Sequence, residues 1–311
     1  MSGGEEDISV KILSFGSMNI DKVYHVENFV LPGETILAKE MEVNAGGKGL
    51  NQSVAAAKAG VHVMHAGSVG EGGEILLDVM KSAGVDISKI RRMPGQSGHA
   101  IIEVDSTGHN RIIVYGGTNQ KLTEEYVDEV MKEAGEPGDI VLLQYETNLI
   151  PYIICRAHEL GLKIAFNPSP IPASMEEIPL EYVDYFIVNE VEGAAIAGMS
   201  QENPDYQEVL RVLSEKYPSA VVVLTLGSAG VLCRSGQKDY SHGIFKVKAV
   251  DTTAAGDTFC GYFLAGICRG EEISTCLEKA SAASAIAVSR PGAAPSIPTM
   301  DEVEKFLEER K

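Results

Sequence analysis

The chain has no tryptophan, and aromatic residues make up only 6% of its 311 positions. Any core it buries must therefore be mostly aliphatic. Cysteine is sparse as well. The five, Cys155, Cys233, Cys260, Cys268 and Cys276, include no C-x-x-C pair and match no zinc spacing. An odd number of thiols in a chain of this length points to reduced cysteines and a cytoplasmic protein. Runs of Lys and Arg are missing too. With 26 basic against 44 acidic residues the net charge is −18, a surface that repels nucleic acid and anionic lipid. No apolar stretch reaches the roughly 18 residues that a membrane helix requires. The opening MSGGEEDISV is polar and acidic, so neither a secretory signal nor a basic transit segment is expected there.

What is present is a 44% hydrophobic composition, enough for one large α/β domain, and 32 glycines. Ile8 to Phe15 reads as a buried strand. Val23 to Val30 and Ile36 to Val43 alternate apolar and polar around Pro32-Gly33, as do His99 to Val104 and Arg111 to Tyr115 around Ser106-Thr107-Gly108. Alternation predicts half-exposed hairpins. Helical patterns at Gly49 to Ala59 and Gly73 to Ala83 flank a strand at Val61 to Val69. Strands then alternate with helices: Glu124 to Glu133, Ile140 to Leu143, Ile150 to Leu160, Lys163 to Phe166, Tyr185 to Val188, Glu190 to Ala197, Tyr206 to Tyr217 and Val221 to Leu226. Another apolar run, Ile244 to Val250, reads as a strand. Helices at Gly256 to Ile267, Ile273 to Ala287 and Thr299 to Glu309 end the chain. This order predicts a doubly wound, mostly parallel α/β sheet flanked by helices, one domain over residues 1–311. The two early hairpins, about residues 20–44 and 97–116, should project as a small β lid.

Three segments carry chemistry. Val250 to Phe259 reads Val-Asp-Thr-Thr-Ala-Ala-Gly-Asp-Thr-Phe. The small residues Ala254, Ala255 and Gly256 let backbone N–H groups approach a ligand, and the helix that begins there adds unpaired donors, which together make an anion site. Asp257 places a carboxylate inside it. Either Asp257 caps a tight turn, or it accepts the proton of a group attacking a phosphate. Residues 44 to 51, Asn-Ala-Gly-Gly-Lys-Gly-Leu-Asn, do not form the phosphate-cradling G-x-x-x-x-G-K-[ST] loop. Amides of Gly46, Gly47 and Gly49, with Lys48 and Asn51, could instead face a polyhydroxyl ligand. Asn19 and Asp21, just past the first strand, have the donors and acceptors that sugar hydroxyls need, or else form an Asx turn.

The Gly-Gly-Lys-Gly-x-Asn stretch and the Asp-Thr-x-Ala-Ala-Gly-Asp stretch, some 200 residues apart, together with the motifs between them, make the chain resemble the ribokinase family of sugar kinases from about residue 8 to 308. The resemblance implies a catalytic base at Asp257 and an anion hole at Ala254, Ala255 and Gly256. It implies a sugar site at Asn19, Asp21, Gly47, Lys48, Asn51, Glu146 and Asp257 itself. It places ATP against Asn189, Thr225, Gly227, Gly230, Gly256 and Ser281, and gives Glu192 of Asn189-Glu190-Val191-Glu192 to the water shell of Mg²⁺. It further implies a K⁺ site at Asp251, Thr253, Ala287, Arg290, Gly292 and Ser296, and a homodimer. Ser281 stands where the family often carries a His, and Pro291 where a basic residue is common. The implied reaction is ATP-dependent conversion of D-ribose to D-ribose 5-phosphate, with Asn19 favouring ribose over deoxyribose. Another small sugar or a nucleoside is the alternative substrate, although the lid offers only Tyr24, Phe29 and Tyr115 to stack a base. A sugar-binding protein without catalysis is the other alternative; Asp257 beside an intact Ala-Ala-Gly turn speaks against it.

Overall fold

Every residue of β1 (Ile12–Phe15) and of β8 (Ile140–Gln144) is buried. Strands covered on both faces belong in the middle of a parallel sheet. In the computed structural model, which describes residues 10–172, 174–202 and 204–310, β1 pairs in parallel with β8 on one side and with β4 (Val63–Glu71) on the other. Beyond β8 lie β9 (Lys163–Asn167), β10 (Tyr185–Asn189) and β11 (Val221–Thr225); beyond β4 lies β5 (Asp86–Gln96), and all of these are parallel. An antiparallel hairpin, β12 (Val231–Ser235) and β13 (Lys238–His242), completes one edge.

The helices cover both faces. Leu50, Leu76, Phe263, Leu277 and Val303, from α1 (Lys48–Lys58), α2 (Glu74–Ser82), α7 (Ala255–Cys268), α8 (Ile273–Val288) and α9 (Met300–Glu308), share one core with Ile12, Leu142 and Val223 of the strands. Val127, Ile153, Ala194 and Val209, from α3 (Glu124–Ala134), α4 (Ile150–Glu159), α5 (Glu190–Ala197) and α6 (Tyr206–Lys216), share the other with Leu13, Val141 and Phe186. Alternate strand residues thus feed two cores, which makes the sheet doubly wound as the element order predicts. The chain runs outward from β1 to β4 and β5, then returns to β8 on the opposite side. The switch point therefore lies between β1 and β8, where ligands of such sheets bind.

A separate four-stranded sheet has the order β3-β2-β6-β7. Its strands are β2 (Asn19–His25), β3 (Glu40–Gly46), β6 (Gly98–Val104) and β7 (Asn110–Tyr115). Two antiparallel hairpins are joined by the parallel pair β2 and β6.

Several boundaries differ from the sequence reading. The first strand begins at Ile12, and the predicted Ile8 and Ser9 lie outside the described residues. The Pro32-Gly33 turn forms, with Glu34 N–H donating to Leu31 O at 3.0 Å, but the strands do not flank it: β2 stops at His25 and β3 starts at Glu40, with a long loop between. Ile244 to Val250 is not a strand. Ile244, Phe245, Val247 and Ala249 wall a cavity instead of joining a ladder.

Candidate active site

Gly49 lies against the turn that leaves β1. A Cβ there would stand 2.5 Å from the Gly16 carbonyl carbon, so only glycine lets α1 press its first turn onto Gly16-Ser17. The Lys48 N–H then donates to Glu146 Oε2 at 2.9 Å. Ser17 Oγ donates to the same oxygen and accepts the Gly49 N–H at 3.2 Å. Farther along α1, Gly261 of α7 meets the helix backbone, where a Cβ would stand 2.7 Å from Gln52 O. This close crossing brings Asn51 Nδ2 to 3.1 Å from Asp257 Oδ2 and Gln52 Nε2 to 2.9 Å from Asp257 Oδ1.

Four of the predicted sugar residues thus converge from three elements: Lys48 and Asn51 from α1, Glu146 from beyond β8, and Asp257 from α7. Asn19 and Asp21 come from β2, alongside Gly46 and Asn44 of β3, with Gly47 the residue before α1. Asn19 Oδ1 accepts from Asn119 Nδ2 at 2.8 Å, and Asn119 also clasps the backbone of Met18. Asn51 Oδ1 is buried with no hydrogen-bond partner among the described residues. Burial, and then the nearby Glu146, push the Asp21 carboxyl up to about 7. Burial raises Glu146 as well, against hydrogen bonds from Ser17 and Lys48. Burial opposes charge on Lys48, but Asp257, Glu146 and Glu192 outweigh it and hold the ammonium above its ordinary value.

Ala254, which caps α7, has φ +59°, a left-handed conformation that is uncommon for any residue with a Cβ. Its carbonyl accepts from Thr258 N–H and Oγ1, both at 2.8 Å. The N-terminal turn of α7 therefore opens on a cleft of about 210 Å³, lined by Lys48, Asn167, Asn189, Glu192 and Ala254 to Asp257. Beside it lies a cavity of about 650 Å³, which shares Thr225, Thr252, Ala255 and Gly256 with the cleft. Its wall includes Gly227, Gly230, Ile244, Phe245, Val247 and Ser281. All six residues expected against ATP line one or both spaces. Asn189 also caps α5: its Oδ1 takes the Val191 and Glu192 N–H groups, and Glu192 Oε2 returns a bond to Asn189 N–H.

Asp251 ties two loops. Its Oδ1 accepts from Thr253 N–H at 2.9 Å and Oγ1 at 2.6 Å, and its Oδ2 from Gly292 N–H at 2.9 Å. Partial burial works the other way, but these bonds hold the carboxyl below the usual carboxylate range. Ala287 O accepts the Arg290 N–H, and Ser296 Oγ donates to Ala293 O. Neither group bonds Asp251.

The pfkB family of carbohydrate kinases matches residues 9–300. The chain belongs to that family. It is 33% identical to the ribokinase of Haemophilus influenzae, over 94% of this chain and 97% of the relative. Its fold resembles the crystal structure of Thermotoga maritima ribokinase (35% identity, TM-score 0.82, covering 96% and 99% of the two chains). It also resembles Arabidopsis thaliana ribokinase complexed with ribose and ATP (29% identity, TM-score 0.84, covering 96% and 99%). Within this pfkB kinase the motif reading overlooked Ser17, Gln52, Asn119, Gln144 and Asn167. Ser17 stands two residues before Asn19 and Gln52 directly follows Asn51, so adjacency could have flagged both. Asn119, Gln144 and Asn167 reach the site only through tertiary folding.

Proposed function

We propose that the chain is an ATP-dependent kinase that converts D-ribose to D-ribose 5-phosphate. The observation that carries the reading is where Asp257 stands. It lines the polar cleft, with Asn51, whose Oδ1 is unpartnered, bonded to it, and that cleft shares Ala255 and Gly256 with a larger cavity whose apolar walls suit an adenine. The named relatives are ribokinases, and one of them is a complex with ribose and ATP. In this reading Asn19, Asp21, Gly47, Lys48, Asn51 and Glu146 hold the sugar. Its 5-hydroxyl oxygen attacks the γ-phosphorus as the proton passes to Asp257. The bond to the β-phosphate's bridging oxygen breaks, and ADP leaves. The amides of Ala254, Ala255 and Gly256 face the charge spread over the transferring group, where fixed donors act most strongly.

Mg²⁺ fits the cleft. Glu192 Oε2 is engaged by Asn189 N–H and Asn167 Nδ2 (3.2 Å), so Oε1 remains for a water of the metal's shell. When bound with ATP, Mg²⁺ supplies charge neutralisation of the phosphates. K⁺ fits where Asp251 already draws the Thr253 and Gly292 loops together, with carbonyls of Ala287, Arg290 and Gly292 and the Ser296 hydroxyl as further oxygen donors. The four-stranded sheet serves as the lid of a single domain. Ile112, Ile113, Val114 and Tyr115 on its edge strand are exposed, which suits pairing with a second copy in the cytoplasm.

ADP release measured across ribose, deoxyribose, fructose and nucleosides is the test. Ribose should give the highest kcat/KM, and Asp257→Asn should lower kcat by about 10²–10⁴-fold or more. A preference for a nucleoside, or near-normal turnover by Asp257→Asn, refutes the reading.

A further inference from the structure

Gln52 is fully buried on α1, one residue beyond Asn51. A carboxamide has two N–H donors and one oxygen. Nε2 donates to Asp257 Oδ1 at 2.9 Å and to Asn167 Oδ1 at 3.0 Å. Oε1 accepts from Gln144 Nε2 at 2.7 Å. Gln144 ends β8 and Asn167 ends β9, so two central strands set the angle of this amide. Asn167 in turn donates to Ile187 O at 2.9 Å and to Glu192 Oε2. A row of amides therefore runs from Asp257, through Gln52 and Asn167, to the carboxylate of α5.

We propose that Gln52 is a positioning residue for phosphoryl transfer, holding the Asp257 carboxylate in one rotamer. The inference rests on Asp257 being the base. Each Asp257 oxygen has its own amide, Asn51 on Oδ2 and Gln52 on Oδ1. Asn51 also faces the sugar, so its amide is shared with the substrate. Gln52 makes no contact with the open pocket and stays on Asp257 throughout. A carboxylate oxygen has room for two hydrogen bonds, so Oδ1 can keep Gln52 without blocking proton transfer. Hydrogen bonds to the charged form favour it, and a base fixed in rotamer needs no reorganisation when the hydroxyl arrives. The other titratable groups that feel the charge of Asp257 are Lys48 of α1, Glu146 beyond β8 and Cys260 of α7, with Glu192 of α5 facing Lys48. All four residues are themselves retained in the Gln52 variants.

The test uses the full chain with Mg-ATP and ribose. Gln52→Glu keeps the shape but sets a second carboxyl within about 3 Å of Asp257, where the two must share a proton. It should lower kcat at pH 7 about tenfold or more, leave the ribose KM within about threefold, and move the acid limb of the kcat profile up by about one pH unit or more. Gln52→Met, equally long and without donors, should lower kcat and move the acid limb the same way, and it carries the test if Gln52→Glu does not fold. Either variant with kcat near that of the parent, or with lower kcat and an unmoved acid limb, overturns the proposal, as does failure of both to fold. If Asp257→Asn turns over normally, the base assignment itself falls. If Asp257→Asn is inactive while both Gln52 variants are normal, only the role of Gln52 falls.

Discussion

Gly49→Ala gives a sharp test of how the site is built. Alanine is the better helix former by about 1 kcal/mol, so on propensity alone the change should stabilise α1. The structure predicts the opposite. The new Cβ would stand 2.5 Å from the Gly16 carbonyl carbon and closer still to Gly16 Cα and Ser17 N. Optimal carbon contacts are about 3.5–4.0 Å, so α1 must retreat by about 1 Å. Both sides of the clash are backbone, and no rotamer relieves it. Overpacking costs about 1–3 kcal/mol, and with all three short contacts on backbone the upper end applies, so about 2 kcal/mol of loss remains after the propensity gain and Tm falls by a few degrees. The effect on activity is larger. The retreat pulls Lys48 N–H from Glu146 and Asn51 from Asp257, bonds of 2.9 and 3.1 Å. A misplacement of about 1 Å can cost about 10²-fold. Melting by differential scanning fluorimetry and kcat/KM for ribose by coupled ADP assay measure both. An unchanged Tm with kcat/KM within twofold of the parent would refute the reasoning.

Removing K⁺ should lower kcat more than it weakens ribose binding, because a cation at the proposed Asp251 site would act on the loop that aims the α7 amides; equal initial rates in potassium, sodium and a bulky organic cation at matched ionic strength, or potassium dependence that survives Asp251→Ala, would count against the site. Ribose affinity should fall as pH drops through about 7, since Asp21 is then protonated and no longer accepts hydroxyls as a carboxylate; calorimetric titration from pH 6 to 8.5 checks this, and a flat profile contradicts it. The same shift has the opposite sign for the empty protein: Asp21 folded holds a proton that the unfolded chain releases near its ordinary 3.8, so its contribution to stability is lost as pH rises from 3.8 through about 7. Hydrogen exchange with and without ribose should show added protection in both hairpins of the small sheet, and unchanged protection would argue against closure.

The buried strands and the starts of α1 and α7 were legible because apolar runs and glycine punctuation are local signals. β5 was not. Its apolar residues Ile87, Ile90 and Met93 fall three apart, and the ladder with β4 shifts register at two places. Period-two reading fails on such an edge strand. The β12–β13 hairpin hides in polar residues around Gly236. Ile244 to Val250 misled in the other direction, since apolar residues facing a ligand cavity look like those facing a core. At the site, the motif residues were readable from their spacing. Asn119, Gln144 and Asn167 were not, because lone amides become informative only when folding brings them within hydrogen-bond distance of one another or of Gln52 and Asn19.

Asn19 pairs with Gly46 and with Gly98 at one end of the small sheet, while His25 pairs with Glu40 and Val104 at the other. The sheet is thus a stiff arm whose root carries Asn19 and Asp21, the residues proposed to hold the sugar. Six residue steps of strand reach about 20 Å, so a rotation of about 10° about the root would sweep the tip through about 3.5 Å, move Asp21, two steps along, by about 1 Å and leave Asn19 in place. Such leverage would let the mouth of the pocket open and shut around a fixed Asn19, with Asp21 brought into place only on closure.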